Sequence, residues 1–178
     1  VTETIARVEP EGVRTRDGRL HPLDVLVLAT GFKTHQFMRP MHVMGRGGKK
    51  LDEVWADSNR SYLSLSVPDF PNFFMLIGPY SPVGNFSLIG VAEAQLHYVM
   101  QLIDLLRRGK ARQISANASA TDRFFSEMVE ATKSTIWATG CQSWYLDKSG
   151  VPASWPWTYE HFEEAMAKPN LDDFELVD

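Results

Sequence analysis

Two short apolar runs, each closed by a glycine, constrain this chain more than any other feature. A predicted strand at residues 23–29, whose uninterrupted apolar core is Val25 to Ala29, leads into Thr30 and Gly31, and residues 73–77 lead into Gly78 and Pro79. An uninterrupted run rich in branched apolar residues is typical of a strand covered on both faces, as in a parallel sheet. A glycine at the carboxyl end of such a strand lets a ligand or a second backbone approach closely. The two runs predict an α/β fold with a crevice at these strand ends, although ordinary turns explain either junction alone.

The remaining segments predict short strands and about three helices. Residues 4–8 and 13–16 alternate like strands, and Asp17 with Gly18 suits a tight hairpin turn. Helices are predicted after the loop that runs to Asn85, with a stop at Gly109, over residues 121–135, and between Thr158 and Pro169. The first of these helices is expected to turn one apolar face inward, formed by Ala92, Leu96, Val99, Ile103 and Leu106.

Composition limits the class of protein. The chain has 178 residues, 44% hydrophobic residues and a net charge of −4, which fits one globular domain and argues against a nucleic-acid or membrane-surface partner. A single cysteine, Cys141, excludes an internal disulfide and a cysteine-rich zinc site, and five scattered histidines give no metal-ligand spacing. No apolar run reaches the length of a membrane span. These features predict a cytoplasmic protein without a metal.

The start of the helix after Gly78 is the candidate ligand contact. Asn85 and Ser87 can cap this helix or touch a ligand, and Leu88 follows them. The first amide groups of a helix have no partner within it, and the dipole there is positive. Such a site suits the pyrimidine edge of a flavin, which gains negative charge on reduction. The glycine-rich residues 45–48 predict a turn and not a nucleotide loop, because they lack the required spacing.

Taken together, these segments resemble the C-terminal part of the class B flavoprotein monooxygenases, which include the flavin-containing and the Baeyer–Villiger monooxygenases. Residues 24–32 look like the family's Ala-Thr-Gly segment, residues 70–79 like its strand and Gly-Pro loop, and residues 93–98 like the helix that follows. The aromatic residues 137–156 resemble the tail of the hydroxyacetophenone-type branch. The order of these segments along the chain is more specific for the family than any one of the segments.

The resemblance implies the C-terminal part of a fold with two dinucleotide-binding domains. Residues 1–178 would form a single fragment of such an enzyme. Within it, residues 1–31 are strands ending in Ala-Thr-Gly, residues 32–109 a flavin-side segment and helix, and residues 110–178 a helical and aromatic tail. The family's Gly-x-Gly-x-x-Gly fingerprints for FAD and NADP are missing from this sequence. The 178 residues alone are therefore expected to be inactive.

The resemblance also implies a reaction and its contacts. NADPH would reduce FAD, the reduced flavin would activate O₂, and one oxygen atom would enter a ketone or a soft nitrogen or sulfur centre. No general acid or base is assigned within this chain. The implied cofactor contacts are Thr30 and Gly31 along the FAD, Gly78 and Pro79 near the flavin, Asn85, Ser87 and Leu88 at the isoalloxazine edge, and Trp144 near NADP or the substrate.

Three residues depart from the family pattern. Related sequences often have glycine where this chain has Ser64 and Asp69, and asparagine where it has Tyr80. These departures concern the detail of the flavin-side loop. Two other functions stay open, namely an NAD(P)H-dependent flavoprotein reductase and a non-catalytic interaction module that retains the fold.

Self-association is a further expectation. A strand at residues 25–28 needs cover on both faces and neighbours on both edges. An uncovered apolar surface of a few hundred Å² usually drives association. The chain is therefore expected to pair with itself, by its edges or by exchange of an element such as residues 1–31.

Overall fold

The computed structural model describes residues 1–84, 86–140, 143 and 145–178, and these form two units. The first unit, Val1–Lys33, is a small antiparallel sheet followed by a segment without regular structure. The second, Thr34–Asp178, contains the helices and a second small sheet. This mixture of short strands and helices confirms the predicted fold class.

The sheet of the first unit has three strands in the order of the sequence. These are β1 (Ile5–Glu9), β2 (Gly12–Thr15) and β3 (Leu20–Pro22), and both pairings are antiparallel. The turn between β2 and β3 is held by the Asp17 carboxylate, which accepts a hydrogen bond of 2.5 Å from the Thr15 hydroxyl. The predicted hairpin is thereby confirmed.

An ion-pair group connects β1 with β2. The Glu9 carboxylate accepts two hydrogen bonds from the Arg14 guanidinium, at 2.7 and 2.9 Å, and a third from Arg7 at 2.7 Å. Arg14, and after it Arg7, lowers the pKa of Glu9 from 4.5 to about 2. The carboxylate is thus charged throughout the neutral and mildly acidic range.

The first apolar run is not a buried strand, and this prediction is wrong for the structure. Val25, Val27 and Leu28 are 76, 78 and 77% exposed, and residues 23–29 belong to no strand. The sheet ends at Pro22, and the one backbone hydrogen bond within the run is the local one from Ala29 N–H to the Val27 carbonyl. An extended segment becomes a strand only when a neighbour takes its backbone groups, and here the Glu11 carbonyl, which accepts the Leu23 amide at 3.2 Å, is the one partner among the described residues outside the run.

The second unit is built around four α-helices and a two-stranded antiparallel sheet. Within the described residues, no helix is both long and apolar enough to cross a membrane. The α-helices are α1 (Leu51–Val54), α2 (Leu88–Arg107), α3 (Ala118–Thr132) and α4 (Tyr159–Ala167). The strands are β4 (Gln113–Ala116) and β5 (Phe174–Val177), and short 3₁₀ turns cover Arg46–Gly48, Ile136–Thr139 and Leu171–Asp173.

The three predicted helices are confirmed as α2, α3 and α4. Each begins at a side chain that accepts a backbone amide, namely Ser87, Asn117 and Thr158. Helix α2 begins directly after Ser87, one of the two residues predicted as its cap. At its other end Gly109 has φ +65° and donates its amide to the Leu106 carbonyl at 3.0 Å, as a terminating glycine does.

The buried face of α2 differs from the predicted one. Leu96 is 47% exposed, and the fully covered stripe lies one residue earlier along the helix. The apolar periodicity missed this rotation because a polar residue, Gln95, lies at the centre of the buried stripe. That stripe consists of Val91, Gln95, Tyr98, Val99 and Leu102.

The two largest apolar clusters among the described residues lie in the second unit. The larger lies between α2, α3, α4 and the sheet, and Tyr62 is fixed in it by a hydrogen bond of 2.6 Å to the buried Asp173. Burial, and then this hydrogen bond to Asp173, raises the pKa of Tyr62 far above its ordinary value. The smaller cluster contains Leu51, Trp55, Val67, Phe70 and Met75.

The second apolar run is also not a strand, but it is held in place. Phe74 forms an isolated bridge with Ser66, and the Met75 amide donates to the Leu65 carbonyl at 2.9 Å. Ile77 then adopts φ +53°, which turns the chain out of the extended conformation and ends any pairing. The predicted buried strand is corrected to a single bridged contact followed by a turn.

Candidate functional site

A tight turn follows the second apolar run and carries two of the predicted site residues. The Ser81 amide donates to the Gly78 carbonyl at 3.1 Å, which closes the turn over Pro79 and Tyr80. Tyr80 has φ +66°. Proline in the second position and a positive φ in the third are the marks of a type II turn. The sequence Gly-Pro-Tyr-Ser therefore forms a type II turn. Its third residue, Tyr80, is strained because it has a positive φ.

Gly78 has a backbone neighbour so close that only glycine fits. A Cβ atom at this position would lie 2.1 Å from the Ser64 carbonyl oxygen. Ser64 itself has φ +63°. The approach of two backbone segments predicted for this glycine is confirmed, and the neighbour that approaches is Ser64.

The three departures from the family pattern all fall on left-handed backbone. Ser64, Asp69 and Tyr80 have φ of +63°, +67° and +66°. Glycine and asparagine adopt this conformation more readily than serine or tyrosine does. The glycines and asparagine of related sequences thus suit the same backbone, and this chain keeps it at some conformational cost.

One buried side chain holds both ends of the turn. Gln95 on α2 is fully buried, and its Oε1 accepts the Ile77 amide at 2.7 Å. Its Nε2 donates to the Ser81 hydroxyl at 3.0 Å. Because a buried amide group needs partners for both its oxygen and its nitrogen, these two bonds satisfy Gln95 and fix the turn against the helix.

The third residue of the turn is tied to a distant part of the sequence. The buried Tyr80 hydroxyl donates to the Asp147 carboxylate at 3.0 Å, and its ring meets Phe125 edge-on at 5.7 Å. Burial, and then the negative charge of Asp147, raises the pKa of Tyr80 far above its ordinary value, so the phenol keeps its proton. Asp147 also accepts the amides of Ser149 and Val151 at 2.8 and 3.0 Å.

The start of α2 presents free backbone donors. The Ser87 side chain accepts the Gly90 amide at 3.4 Å, and its carbonyl accepts the Val91 amide at 3.0 Å. Among the described residues, no hydrogen bond takes the amides of Leu88 and Ile89, whose side chains are 47 and 74% exposed. The first turn of a 20-residue helix therefore offers two donors at the positive end of its dipole.

Two cavities flank the turn. An apolar cavity of about 260 Å³ borders Gly78 and is lined by Phe37, Ile77 and Val83 among others. A larger one of about 440 Å³ borders Pro79 and Tyr80 and contains charged side chains, including the Asp147 that binds Tyr80. The turn thus borders both an apolar cavity and one that contains charged side chains.

The other predicted contacts divide by unit. Thr30 and Gly31 belong to the first unit; Gly31 has φ +76°, and a Cβ atom there would meet nothing within 4 Å. Asn85 and Trp144 lie outside the described residues. Within the second unit, Gln95 connects the turn of Gly78 and Pro79 to the helix that begins after Ser87.

The chain is similar over nearly its whole length to proteins named monooxygenases. An uncharacterized monooxygenase of Mycobacterium tuberculosis is 42% identical over 176 residues, which cover 99% of this chain and 36% of that protein. An FAD-binding monooxygenase of Aspergillus niger is 32% identical over 181 residues, which cover 98% of this chain and 30% of that protein. No protein-family model matches the chain.

Solved structures show the same relationship. An oxidized steroid monooxygenase bound to NADP superposes with a TM-score of 0.77 at 27% identity, and a closed form of cyclohexanone monooxygenase with 0.74 at 28%. Each match covers 98% of this chain and 34% of the other. The chain is thus similar to FAD-binding monooxygenases, as its motifs indicated, and it spans about a third of the length of the relatives it matches.

Sequence reasoning did not find the residues that hold the turn. Gln95 was noted only as part of a family-like helix, and the bonds of Ser81 and Asp147 were not expected. Tyr80 was noted as a departure, but its left-handed backbone was not foreseen. The proline before it and the family's preference for asparagine were the signals that could have revealed a type II turn.

Proposed function

We propose that this chain forms the C-terminal part of an FAD- and NADPH-dependent monooxygenase and that residues 78–90 border the flavin. The observation that carries the proposal is the pair of amides at Leu88 and Ile89, at the positive end of α2, for which the described residues supply no hydrogen-bond acceptor. The family relationship supports the choice of cofactor, because relatives are named FAD-binding and one solved relative is bound to NADP.

The residues present fit a flavin edge. Carbonyl oxygens and the negative charge of a reduced pyrimidine ring are well matched by amide donors at a helix start. When bound, the flavin supplies the transfer of electrons from NADPH and the activation of O₂. The chain's own contribution is to bind and orient. The amides of Leu88 and Ile89 donate, Ser87 fixes the helix start, and Gly78 lets the turn pack against the Ser64 backbone.

The substrate in this proposal is a small molecule with an apolar body, either a ketone or a compound with a soft nitrogen or sulfur atom. The cavity of about 260 Å³ beside Gly78 supports an apolar body, since Phe37 and Val83 contribute to its wall. The relatives named for cyclohexanone and steroids add weight to the ketone. Contacts of Thr30 and Gly31 with FAD, and of Trp144 with NADP or substrate, stay predictions.

The test of the flavin placement uses the full-length enzyme that contains this chain. Ser87→Pro removes the hydroxyl that accepts the Gly90 amide and so disturbs the helix start that carries the Leu88 and Ile89 donors; we expect FAD to bind about tenfold more weakly. Thr158→Pro is the matched control, because it alters the cap of α4 in the same way. Full FAD occupancy and an unchanged flavin spectrum in Ser87→Pro would contradict the placement.

The activity itself has a direct assay. The full-length enzyme is expected to consume O₂ and NADPH in a substrate-dependent manner. The 178 residues alone are expected to show no turnover, because no Gly-x-Gly-x-x-Gly loop for either dinucleotide lies within them. Oxygen uptake by the isolated chain with NADPH and a ketone would refute the second expectation, and a full-length enzyme that retains no FAD would refute the proposed function.

Self-association of the isolated chain is part of the proposal. Val25, Val27 and Leu28 are more than three-quarters exposed, and Phe32 is 93% exposed. Burying such side chains stabilises by ~25 cal/mol per Å², so pairing of this segment is favoured. Light scattering at micromolar concentration is expected to show a dimer or larger species. The paired substitution Val25→Asp and Val27→Asp should return it to a 20.1 kDa monomer, and a wild-type monomer would contradict the proposal.

We also infer a cytoplasmic location for the enzyme. Its support is compositional, since Cys141 has no second cysteine in the chain with which to pair. Fractionation of the producing cell is the measurement, and recovery of the enzyme outside the cytoplasmic fraction would overturn the inference.

A further inference from the structure

We propose that Gln95 is a positioning residue that sets the distance between two flavin-side elements, the turn of residues 77–81 and the start of α2. Its link to the flavin rests on the proposed function. The hydrogen bonds of Gln95 to Ile77 and Ser81 are independent of the proposed function. The positioning role and the flavin placement can therefore be refuted separately.

The first argument is the strain at Ile77. A β-branched residue with φ +53° is a rare conformation that persists only when its surroundings hold it. The bond of 2.7 Å from the Ile77 amide to Gln95 Oε1 holds it, and this amide has no other hydrogen-bond partner among the described residues. Without that acceptor, the half-buried Ile77 amide loses its partner and the left-handed conformation loses its anchor.

The second argument is that one amide group serves both ends of the turn. Nε2 of Gln95 donates to the Ser81 hydroxyl at 3.0 Å, and the Ser81 amide closes the turn onto the Gly78 carbonyl at 3.1 Å. Gln95 and Ser81 are fully buried, so water does not compete for these bonds. A shift of the Gln95 side chain therefore acts on both ends of the turn, at Ile77 and at Ser81.

The third argument is the place of Gln95 on its helix. Gln95 lies two helical turns after Leu88, roughly 10 Å along a rigid helix. The rigid helix therefore keeps a fixed distance between the amides at its start and Gln95. The Gln95 side chain in turn links the helix to the turn through its hydrogen bonds to Ile77 and Ser81.

Two substitutions separate positioning from packing. Gln95→Leu keeps the volume but removes the acceptor and the donor. Gln95→Glu keeps an oxygen for the Ile77 amide but buries an acid. If Gln95 only fills space, leucine is the better replacement, whereas a positioning role makes glutamate the better one. Gln101→Leu is the matched control on the same helix, since Gln101 donates to the Ala167 carbonyl at the surface.

The experiment measures the full-length enzyme with and without FAD. Residue-resolved hydrogen exchange of the Ile77 amide reports the anchor, and it needs no flavin. The FAD dissociation constant, the visible spectrum and the reduction potential of the flavin report the position of the turn. Ser81→Ala, which releases only one end of the turn, gives a second variant should Gln95→Leu fold poorly.

We expect Gln95→Leu to raise the exchange rate of the Ile77 amide and the FAD dissociation constant about tenfold each, and to shift the flavin spectrum. Gln95→Glu is expected to stay close to wild type for Ile77, and Gln101→Leu to match wild type throughout. A smaller effect of leucine than of glutamate would overturn the proposal, as would unchanged flavin properties in Gln95→Leu and Ser81→Ala. A wild-type enzyme that shows the Ile77 protection but binds no FAD would instead overturn the proposed function.

Discussion

The two apolar runs look alike in the sequence and differ in the structure. Both are rich in large aliphatic or aromatic residues, and both end at a glycine. Residues 25–28 are largely exposed and have no strand neighbour among the described residues. Residues 73–77 also form no strand, yet Met75 is buried and the backbone is held by Leu65, Ser66 and Gln95.

This difference shows that an apolar run needs other segments to cover it. The sequence of the run does not by itself determine its conformation. In the second unit, partners arrive from an earlier loop and from α2, and they order the run and the turn after it. In the first unit, β3 ends at Pro22 and supplies none. The relatives are about three times as long as this chain, and we propose that the rest of the enzyme covers the first run.

The largest expected effect separates the two glycines. Gly78→Ala places a Cβ atom 2.1 Å from the Ser64 carbonyl oxygen, so backbone must move and we expect a loss of about 3 kcal/mol or more in unfolding free energy. Gly31→Ala meets no atom within 4 Å and keeps only the cost of a positive φ, about 1 kcal/mol or less in a segment that can adjust. Chemical denaturation of both variants measures the contrast. Equal losses would mean that the two junctions are held alike.

A smaller contrast concerns the runs themselves. Met75 is buried in a cluster with Val67 and Phe70, so Met75→Ala is expected to cost about 2–4 kcal/mol. Val27 is 78% exposed, and Val27→Ala is expected to change the stability of the monomer by less than about 0.5 kcal/mol. The measurement is denaturant unfolding at a concentration below self-association. A large loss from Val27→Ala would show that the first run is covered.

The sequence predicted most of the elements that depend on local chemistry. Helices α2, α3 and α4 were predicted because capping residues, apolar spacing and Gly109 act within a few residues of one another. The hairpin at Asp17 was predicted for the same reason. The family resemblance identified the relationship to flavoprotein monooxygenases, although no single motif would have done so.

The parts that failed depend on contacts between distant residues. The state of the two apolar runs is decided by which partners reach them, and no pattern within a run reports this. The buried stripe of α2 was displaced by one residue because Gln95 is polar yet is buried by its bonds to Ile77 and Ser81. The hydrogen bond between Tyr80 and Asp147 joins residues that are 67 positions apart, and no pattern in the sequence indicates it.

The anchoring of the turn after the second run is tested by removing single hydroxyl groups. Tyr80→Phe deletes the donor to Asp147 and is expected to cost about 1–2 kcal/mol. Tyr98→Phe is the control, because the buried Tyr98 hydroxyl has no hydrogen-bond partner among the described residues, and its loss should be neutral or stabilising. Thermal unfolding of both variants gives the answer. A Tyr80→Phe variant as stable as wild type would mean that Gln95 alone holds the turn.

The smallest expected effect is a difference between the two regions in how their stability depends on pH. The folded-state pKa of Glu9 is lowered from 4.5 to about 2 by Arg14 and then Arg7. Its contribution to the sheet of β1 and β2 is therefore complete above pH 4.5 and is lost as the pH falls toward 2. The bonds of Gln95 to Ile77 and Ser81 contain no titratable group.

Hydrogen exchange between pH 5 and 2, corrected for intrinsic rates, should thus show the β1–β2 amides losing protection while the Ile77 amide keeps it. Glu9→Gln should remove the pH dependence of the sheet, and a sheet that keeps its full protection in wild type at pH 2 would show that the Glu9 ion pairs contribute nothing to it.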